Sequence, residues 1–460
     1  MNDDATMAQT LGRLLGEQAG EELEVADLVR LSGGASRETW SFTARGTRGE
    51  RALVLQRERV GGNVASGGMS SEGQLLRAAA DAGVPVPAVV MSGAGTDLGA
   101  SFVVTERVDG ETIPRRILRD DAFASARPVL ARQAGAALAA VHQIDVERVP
   151  ALPGEDQVTQ FRAILDLLGE PHPAFELGLR WLEENRPDGA AHTVVHGDFR
   201  LGNLIVGPEG LRAVLDWELA HLGDPIEDLG WFCVRAWRFG SPLRAGGVGT
   251  VEDLLDGYEA AGGAPVSPDA LRWWETMGTL KWGVMCIVQA ATHLSGASRS
   301  VELAAIGRRT AENEEDVLAL IHGPSRYEPT AASLPSSQVS SGIADRPSTA
   351  ELLDALGGYM DEVRDGVTGR LGFHARVAGN VVAMLRREIE LGQAQAAAHA
   401  ERLASVGIGA TGAGGEAELA SAIRSGAFDG RHDEVVDVVR ATVRDRLAIS
   451  NPGYWEGSGA

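Results

Sequence analysis

Two aspartates and an asparagine stand at spacings that suit phosphoryl transfer. Asp198 and Asn203 lie within His196-Gly197-Asp198-Phe199-Arg200-Leu201-Gly202-Asn203, and Asp216 follows Asn203 by thirteen residues, at the end of an apolar run. A magnesium ion takes hard oxygen ligands, which an Asn amide and an Asp carboxylate supply, and leaves octahedral positions for phosphates and water. Asp198 then remains for the acceptor. The transition state is loose, so this aspartate need only orient a hydroxyl and take its proton late.

The surrounding sequence supplies elements to position them. Thr193 to Val195 and Leu204 to Val206 are short β-prone runs, Gly207-Pro208-Glu209-Gly210 is a turn, and Leu211 to Leu215 returns as the partner strand. Counting back from the turn sets Asn203 opposite Val214, so Asp216 overshoots it by two residues, roughly 7 Å at the strand rise. A metal ion bridges such a gap. Upstream, Leu28 to Leu31 and Thr39 to Phe42 flank Gly33-Gly34, a loop whose backbone N–H groups suit phosphates. A helix is expected around Ser71 to Ala82, broken by Val84-Pro85-Val86-Pro87, then a strand from Ser101 to Val108. From Ala131 to His142, Ala134, Leu138 and Val141 recur at helical spacing.

The run His196 to Asn203 with Asp216-Trp217 resembles the aminoglycoside phosphotransferase-like (choline kinase-like) branch of the protein-kinase fold, whose pattern is HGDxxxxN followed by D[WF]. Leu31 to Trp40 resembles its nucleotide-covering loop, Glu72 its helix-C glutamate and Val103 to Gly110 its interlobe hinge, so that the likeness spans residues 25 to 320. It implies an α+β, bilobal kinase-like fold, with a small β-rich N-lobe over 1–105 and a mainly helical C-lobe over 106–326. ATP would be the donor and Mg2+ the metal, with Asp198 catalytic and Asn203 and Asp216 as metal ligands. Gly33, Gly34, Ser36, Arg57, Glu72, Glu106 and Val108 would bind nucleotide, and His196 and Asp228 would support the catalytic loop.

One position departs from the family. Lys281 is the only lysine, and the basic position of strand 3 falls on Gln56 in Ala52-Leu53-Val54-Leu55-Gln56-Arg57. Arg57 lies on the opposite face by strand alternation. A bulge would bring it inward to pair with Glu72, where a guanidinium grips phosphate oxygens in place of a lysine. The chain has no Gly-x-x-x-x-Gly-Lys-Ser/Thr run for a P-loop, and a pyridoxal Schiff base would need Lys281. A rival enzyme reading takes His142, His196, Asp216, His221 and Asp224 as ligands of a metal-dependent phosphohydrolase. It leaves Asn203 and the glycine loop without a purpose.

A chain of 460 residues that is 44% hydrophobic builds two or three domains, and a formal net charge of −22 argues against nucleic acid or an anionic membrane as partner. Cys233 and Cys286 form no Cys-x-x-Cys motif, the acidic Met1-Asn2-Asp3-Asp4 start lacks a signal pattern, and no apolar run reaches spanning length. A cytoplasmic enzyme acting on a small-molecule hydroxyl substrate is expected.

Between 327 and 346 the composition turns to Pro, Ser, Thr, Ala and Gly, which reads as a linker. Ser348-Thr349-Ala350-Glu351 is a capping-box start, followed by Leu352, Leu353, Leu356, Tyr359, Met360 and Val363 at helical spacing. Further helices are expected around Phe373 to Asn380, over Glu416 to Ser425 and over Glu434 to Ile449, making 347–460 a small all-α domain. Such a domain suits a protein partner or homo-oligomer, and a chain ending near Ser340 is expected to fold without it.

The acceptor is less legible. The stretches Lys281 to Gln289, His293 to Gly296 and Ser300 to Arg308 resemble the branch whose kinase-like domains also occur joined to acyl-CoA dehydrogenases, which implies a hydroxyacyl-CoA acceptor. The helix Leu271 to Met285, with Trp273, Trp274 and Trp282, would suit an acyl chain. An aminoglycoside or other small alcohol is the alternative acceptor. A catalytically weak nucleotide-binding scaffold is the alternative class, and ATP or GTP fits as the donor.

Overall fold

The computed structural model describes residues 3–31, 37–58, 68–95, 97–187, 192–331 and 347–454. Gly33, Gly34, Ser36 and most of the 327–346 stretch lie outside them. Among the described residues, nine strands and fifteen α-helices follow one another as α1 (Asp3–Ala19), β1 (Glu24–Leu31), β2 (Arg37–Gly46), β3 (Gly49–Glu58), α2 (Gly68–Asp81), β4 (Val89–Gly93), β5 (Phe102–Glu106), α3 (Pro114–Arg119) and α4 (Arg127–His142). Next come α5 (Gln157–Leu168), α6 (Pro173–Glu184), β6 (Thr193–Val195), β7 (Leu204–Gly207), β8 (Gly210–Val214), β9 (His221–Gly223), α7 (Ile226–Cys233), α8 (Val251–Ala260) and α9 (Pro268–Leu294). The remainder is helical: α10 (Val301–Gly307), α11 (Thr310–His322), α12 (Thr349–Gly366), α13 (Gly369–Ser405), α14 (Gly412–Arg424) and α15 (His432–Ser450).

Two compact units result, one of residues 1–155 and 188–274, the other of 156–187 and 275–460. In the first, β1 to β5 form an antiparallel sheet in the order β1-β2-β3-β5-β4. Strand alternation gives it two faces. Trp40, Phe42, Leu53, Leu55, Phe102 and Val104 bury one face with Met7, Leu11 and Leu15 of α1, a helix that the sequence reading did not anticipate. Those three residues recur every fourth position, the spacing of one helix face. The opposite face of the sheet carries Val103, Val54 and Gln56, and α2 packs there closely enough that a Cβ at Gly73 would stand 2.8 Å from Ser92 Cβ. Below the sheet, α4, α7 and α8 enclose the apolar core around Leu130, Leu138, Val194, Phe199, Leu229 and Phe232.

The hairpin of β7 and β8 corrects the register read from sequence. Gly207 pairs with Gly210 and Val206 with Leu211, but Ile205 pairs with Ala213 and Leu204 with Val214, so Arg212 is an extra residue. This bulge shifts every later pair by one. Leu215 N–H donates to Asn203 O at 2.8 Å, which sets Asn203 opposite Leu215 and leaves Asp216 one residue beyond instead of two.

The second unit gathers α5, α6, α10, α11 and the later part of α9 with α12 to α15, rather than dividing at 326 and 347. Paired charges explain the grouping. Five consecutive polar residues of α11, Glu312 to Asp316, are buried. Arg444 of α15 pairs with Glu315 at 2.7 Å, Arg446 with Glu314 at 3.2 Å, and Arg424 of α14 with Glu176 of α6. Removing one partner of a pair buried at both ends, as Arg444–Glu315 is, costs about 3–5 kcal/mol, against a total stability of roughly 5–15 kcal/mol. A chain ending at Ser340 is therefore expected to lose cooperative folding of this unit, reversing the expectation from composition. Soluble yield and a thermal melt check this, and a truncated chain that melts at the full-length midpoint would restore the independent domain.

The same network makes stability depend on pH. Burial lowers the affinity of His172 for a proton, but Glu170 at 3.8 Å and Glu314 at 2.9 Å, opposed by Arg446, raise its pKa to about 9. A folded-state value above the ordinary 6.5 contributes stability that is full below that value and lost as pH rises through 9. Replacing His172 by Gln should cost more in urea unfolding at pH 6 than at pH 10. Equal costs at both would show that the imidazolium contributes nothing.

Candidate active site

The loop that carries Asp198 leaves β6 at Val195 and re-enters β7 at Leu204, and the fold holds it from beneath. Buried Asp228, in the first turn of α7, accepts hydrogen bonds from the N–H groups of His196 at 2.8 Å and Gly197 at 2.9 Å. Its Oδ2 also takes one from His142 Nε2 at 3.2 Å, while His142 Nδ1 faces the Tyr258 hydroxyl at 2.9 Å. Burial pushes the Asp228 carboxyl up, but His142 and these donors hold it below the usual range, so it stays ionised. Gly197 has φ +79°, and a Cβ there would meet Leu219 O at 2.3 Å, so only glycine fits this turn.

His196 is fully buried. Its Nδ1 accepts the Asp198 N–H at 3.2 Å and its Nε2 donates to Leu215 O at 3.0 Å. Burial lowers its pKa, and the ring is neutral. Both nitrogens are thus occupied, as are those of His142. His221 Nε2 meets Glu227 at 2.9 Å, its Nδ1 faces Leu219 O at 2.9 Å, and Asp224 accepts the Ile226 N–H at 2.9 Å. Among the described residues no group of three or more His, Cys, Asp and Glu is placed to hold a metal, which removes the phosphohydrolase arrangement.

Asp198 is held in one orientation by three donors. Trp231 Nε1 reaches Oδ1 at 3.0 Å, Asn203 Nδ2 reaches Oδ2 at 2.6 Å, and Arg200 Nε lies 3.1 and 3.2 Å from the two oxygens. Arg200 is itself stacked 5.0 Å from the Trp237 ring centroid. Asn203 Nδ2 also donates to the Asp198 carbonyl at 2.9 Å, so its Oδ1 is the side-chain atom that could meet a cation. Asp216 takes φ +66°, a left-handed conformation that Asp tolerates better than most residues. Burial and Glu218 push its pKa up to about 6, with Arg37 acting in the opposite direction. An Asn oxygen and a crowded Asp carboxylate are hard donors, and they fit a divalent cation such as magnesium.

The cationic partner of Glu72 is not Arg57. The pairing of β3 with β2 and β5 is regular, without the bulge that would turn Arg57 inward. Arg57 stays on the α1 side, bonded to Glu38 at 2.7 Å and Leu98 O at 2.9 Å, with its guanidinium 5.1 Å from the Trp40 ring. Glu72 is instead gripped by Arg37, the first residue of β2, through NH1 at 2.9 Å and NH2 at 2.8 Å. Sequence reasoning missed Arg37, Trp231 and Arg200. Arg200 had a signal, lying two residues after Asp198. For Arg37 the signal was parity, because Thr39 pairs with Gln56 and Arg37 shares their face.

The other expected nucleotide positions are in part described. Glu106 ends β5 opposite Leu53, with Arg51 Nε 3.0 Å from its carboxylate, and Val108 lies in the segment leading from the sheet to Gly110. Trp273, Trp274 and Trp282 of α9 are buried core residues and offer no open apolar face to an acyl chain. Lys281 is buried as well.

Known proteins are similar to this chain in part. A Mus musculus protein named acyl-CoA dehydrogenase family member 10 is 30% identical over 238 residues, 45% of this chain and 22% of that protein. Homo sapiens acyl-CoA dehydrogenase family member 11 is 30% identical over 204 residues, 38% of this chain and 25% of its own length. The chain thus aligns with about a quarter of these relatives. A Ralstonia eutropha crystal structure, provisionally named an aminoglycoside phosphotransferase, has the same kinase-like fold, with a TM-score of 0.55 at 22% identity over 67% of this chain and 95% of its own. Residues 365–454 match a domain of unknown function, DUF6285. Among the described residues no helix is long and apolar enough to cross a membrane. Residues 27–274, more than half of the sequence, match the phosphotransferase enzyme family, and to that family the chain belongs.

Proposed function

We propose that the chain is a magnesium-dependent kinase that moves the γ-phosphoryl group of ATP to a hydroxyl of a small molecule, with a hydroxyacyl-CoA as the favoured acceptor. The observation that carries this reading is the fixed Asp198 carboxylate, braced by Trp231, Asn203 and Arg200 beside the oxygen donors Asn203 and Asp216. A scaffold would have no need to orient a carboxylate so tightly.

Asp198 would accept a hydrogen bond from the acceptor hydroxyl and align its oxygen with phosphorus. As the new O–P bond forms and the bond to the ADP oxygen breaks, the hydroxyl proton passes to the Asp198 carboxylate. Trp231 and Asn203 keep that carboxylate from rotating away. Asn203 Oδ1 and the Asp216 carboxylate would hold the cation, which when bound offsets phosphate charge. Asp228 contributes by fixing the loop backbone, since its oxygens are taken up by N–H groups and His142.

The acceptor class follows the relatives, whose names join this region to acyl-CoA dehydrogenases, and not the tryptophans of α9. ATP consumption measured side by side with hydroxyacyl-CoAs, free hydroxy acids and aminoglycosides is expected to be greatest with the first. Phosphorylation of aminoglycosides alone would overturn the hydroxyacyl reading. Nucleotide binding without turnover on any alcohol would point to the scaffold.

A further inference from the structure

We infer that Arg37 is the phosphate-gripping cation of this site, a role that passes from strand 3 to the first residue of strand 2 in a chain with a single lysine. The inference rests on the nucleotide reading above. Three observations converge on it. Gln56, on the site face of β3, carries no charge, and Arg57 is committed to Glu38 and Leu98 on the other face. The sole lysine, Lys281, lies in α9 and not in the sheet. Arg37 is largely buried, 10% exposed, and is ringed by carboxylates from two separate segments: Glu72 of α2 at 2.8 Å, Glu218 at 3.3 Å and Asp216 at 3.6 Å.

The geometry leaves the guanidinium work to do. Glu72 engages NH1 and NH2 end-on, which holds the plane of the fork. Each of those nitrogens has a second N–H, and these face Asp216 and Glu218 at distances longer than the Glu72 bonds. Asp216 at 3.6 Å is beyond hydrogen-bond reach, so the NH1 N–H directed to that side is not committed to it and is open to a phosphate oxygen. Glu72 thus acts as a positioning residue for Arg37. A guanidinium presents a planar fork that matches phosphate, keeps its charge when buried and so replaces a lysine ammonium at this place.

Calorimetry of the full chain with Mg·ADP and with adenosine separates phosphate grip from general damage. Arg37→Gln is expected to weaken Mg·ADP by roughly 10- to 100-fold, the worth of charge-assisted hydrogen bonds, and to leave adenosine affinity near wild type. Adding Gln56→Lys to that variant returns a cation to the same face and should recover part of the loss. Equal Mg·ADP affinity in wild type and Arg37→Gln overturns the inference, and so does an equal loss for ADP and adenosine, which marks a merely structural residue. Should Arg37→Gln not fold, Arg37→Lys keeps the charge and loses the fork, and the same comparison of ADP with adenosine decides. A wild-type chain that binds no Mg·ADP overturns the proposed function itself, whereas intact wild-type binding with an indifferent Arg37 overturns this inference alone.

Discussion

Asp198→Asn is expected to lower phosphoryl transfer by roughly 10²-fold or more, the usual loss for a catalytic base, with Mg·ATP affinity near wild type. The substitution keeps the shape of the side chain and removes its capacity to take a proton. Its surroundings are built for a pure acceptor, because Trp231, Asn203 and Arg200 all donate to it. An amide must turn its NH2 toward one of those donors, so a modest drop in thermal midpoint should accompany the kinetic loss. Nucleotide contacts lie elsewhere in the proposed site, which is why affinity is spared. Equal turnover in wild type and variant, with the acceptor that the wild type phosphorylates, would remove Asp198 from the mechanism.

Asp216→Ala is expected to abolish transfer and to remove the magnesium dependence of nucleotide binding that the proposed function implies. The carboxylate stands among Glu218, Asp198, Glu72 and the cation Arg37, and burial with that crowding raises its pKa. A divalent ion held by the Asp216 carboxylate and the Asn203 amide oxygen would relieve that crowding. Alanine at φ +66° adds backbone strain of about 1 kcal/mol, so Asp216→Asn, which tolerates that conformation, separates charge from strain. The ratio of ATP affinity with magnesium to that with EDTA is the measurement. An unchanged ratio in the folded Asn variant would take Asp216 out of the metal site.

The fold was legible where its signals are local. Alternation in Ala52 to Leu55, the Ser348–Glu351 capping box and the apolar face of α4 read through to β3, α12 and α4 as found. The cluster from His196 to Asn203 with Asp216 was legible because a hairpin carries it and chain spacing alone brings its members near each other. The helix α1 was missed, although Met7, Leu11 and Leu15 mark one face, because the strands beneath it are what make that face useful.

What sequence by itself determined is therefore the family and the mixed class of the fold, and it singled out Asp198, Asn203 and Asp216 as the proposed trio, all by residue type and short spacing. The tertiary structure alone decided which charges meet. One bulged residue, Arg212, set how far Asp216 stands from Asn203. Strand register, not proximity in the chain, gave Glu72 to Arg37 and turned Arg57 to the other face. The carboxylates of α11 drew their arginines from α15, more than a hundred residues away, and so moved helices 275–322 into one unit with the C-terminal domain. Buried charges are paid for only by partners of opposite sign at close range, and a local pattern carries no mark of which distant segment will supply them.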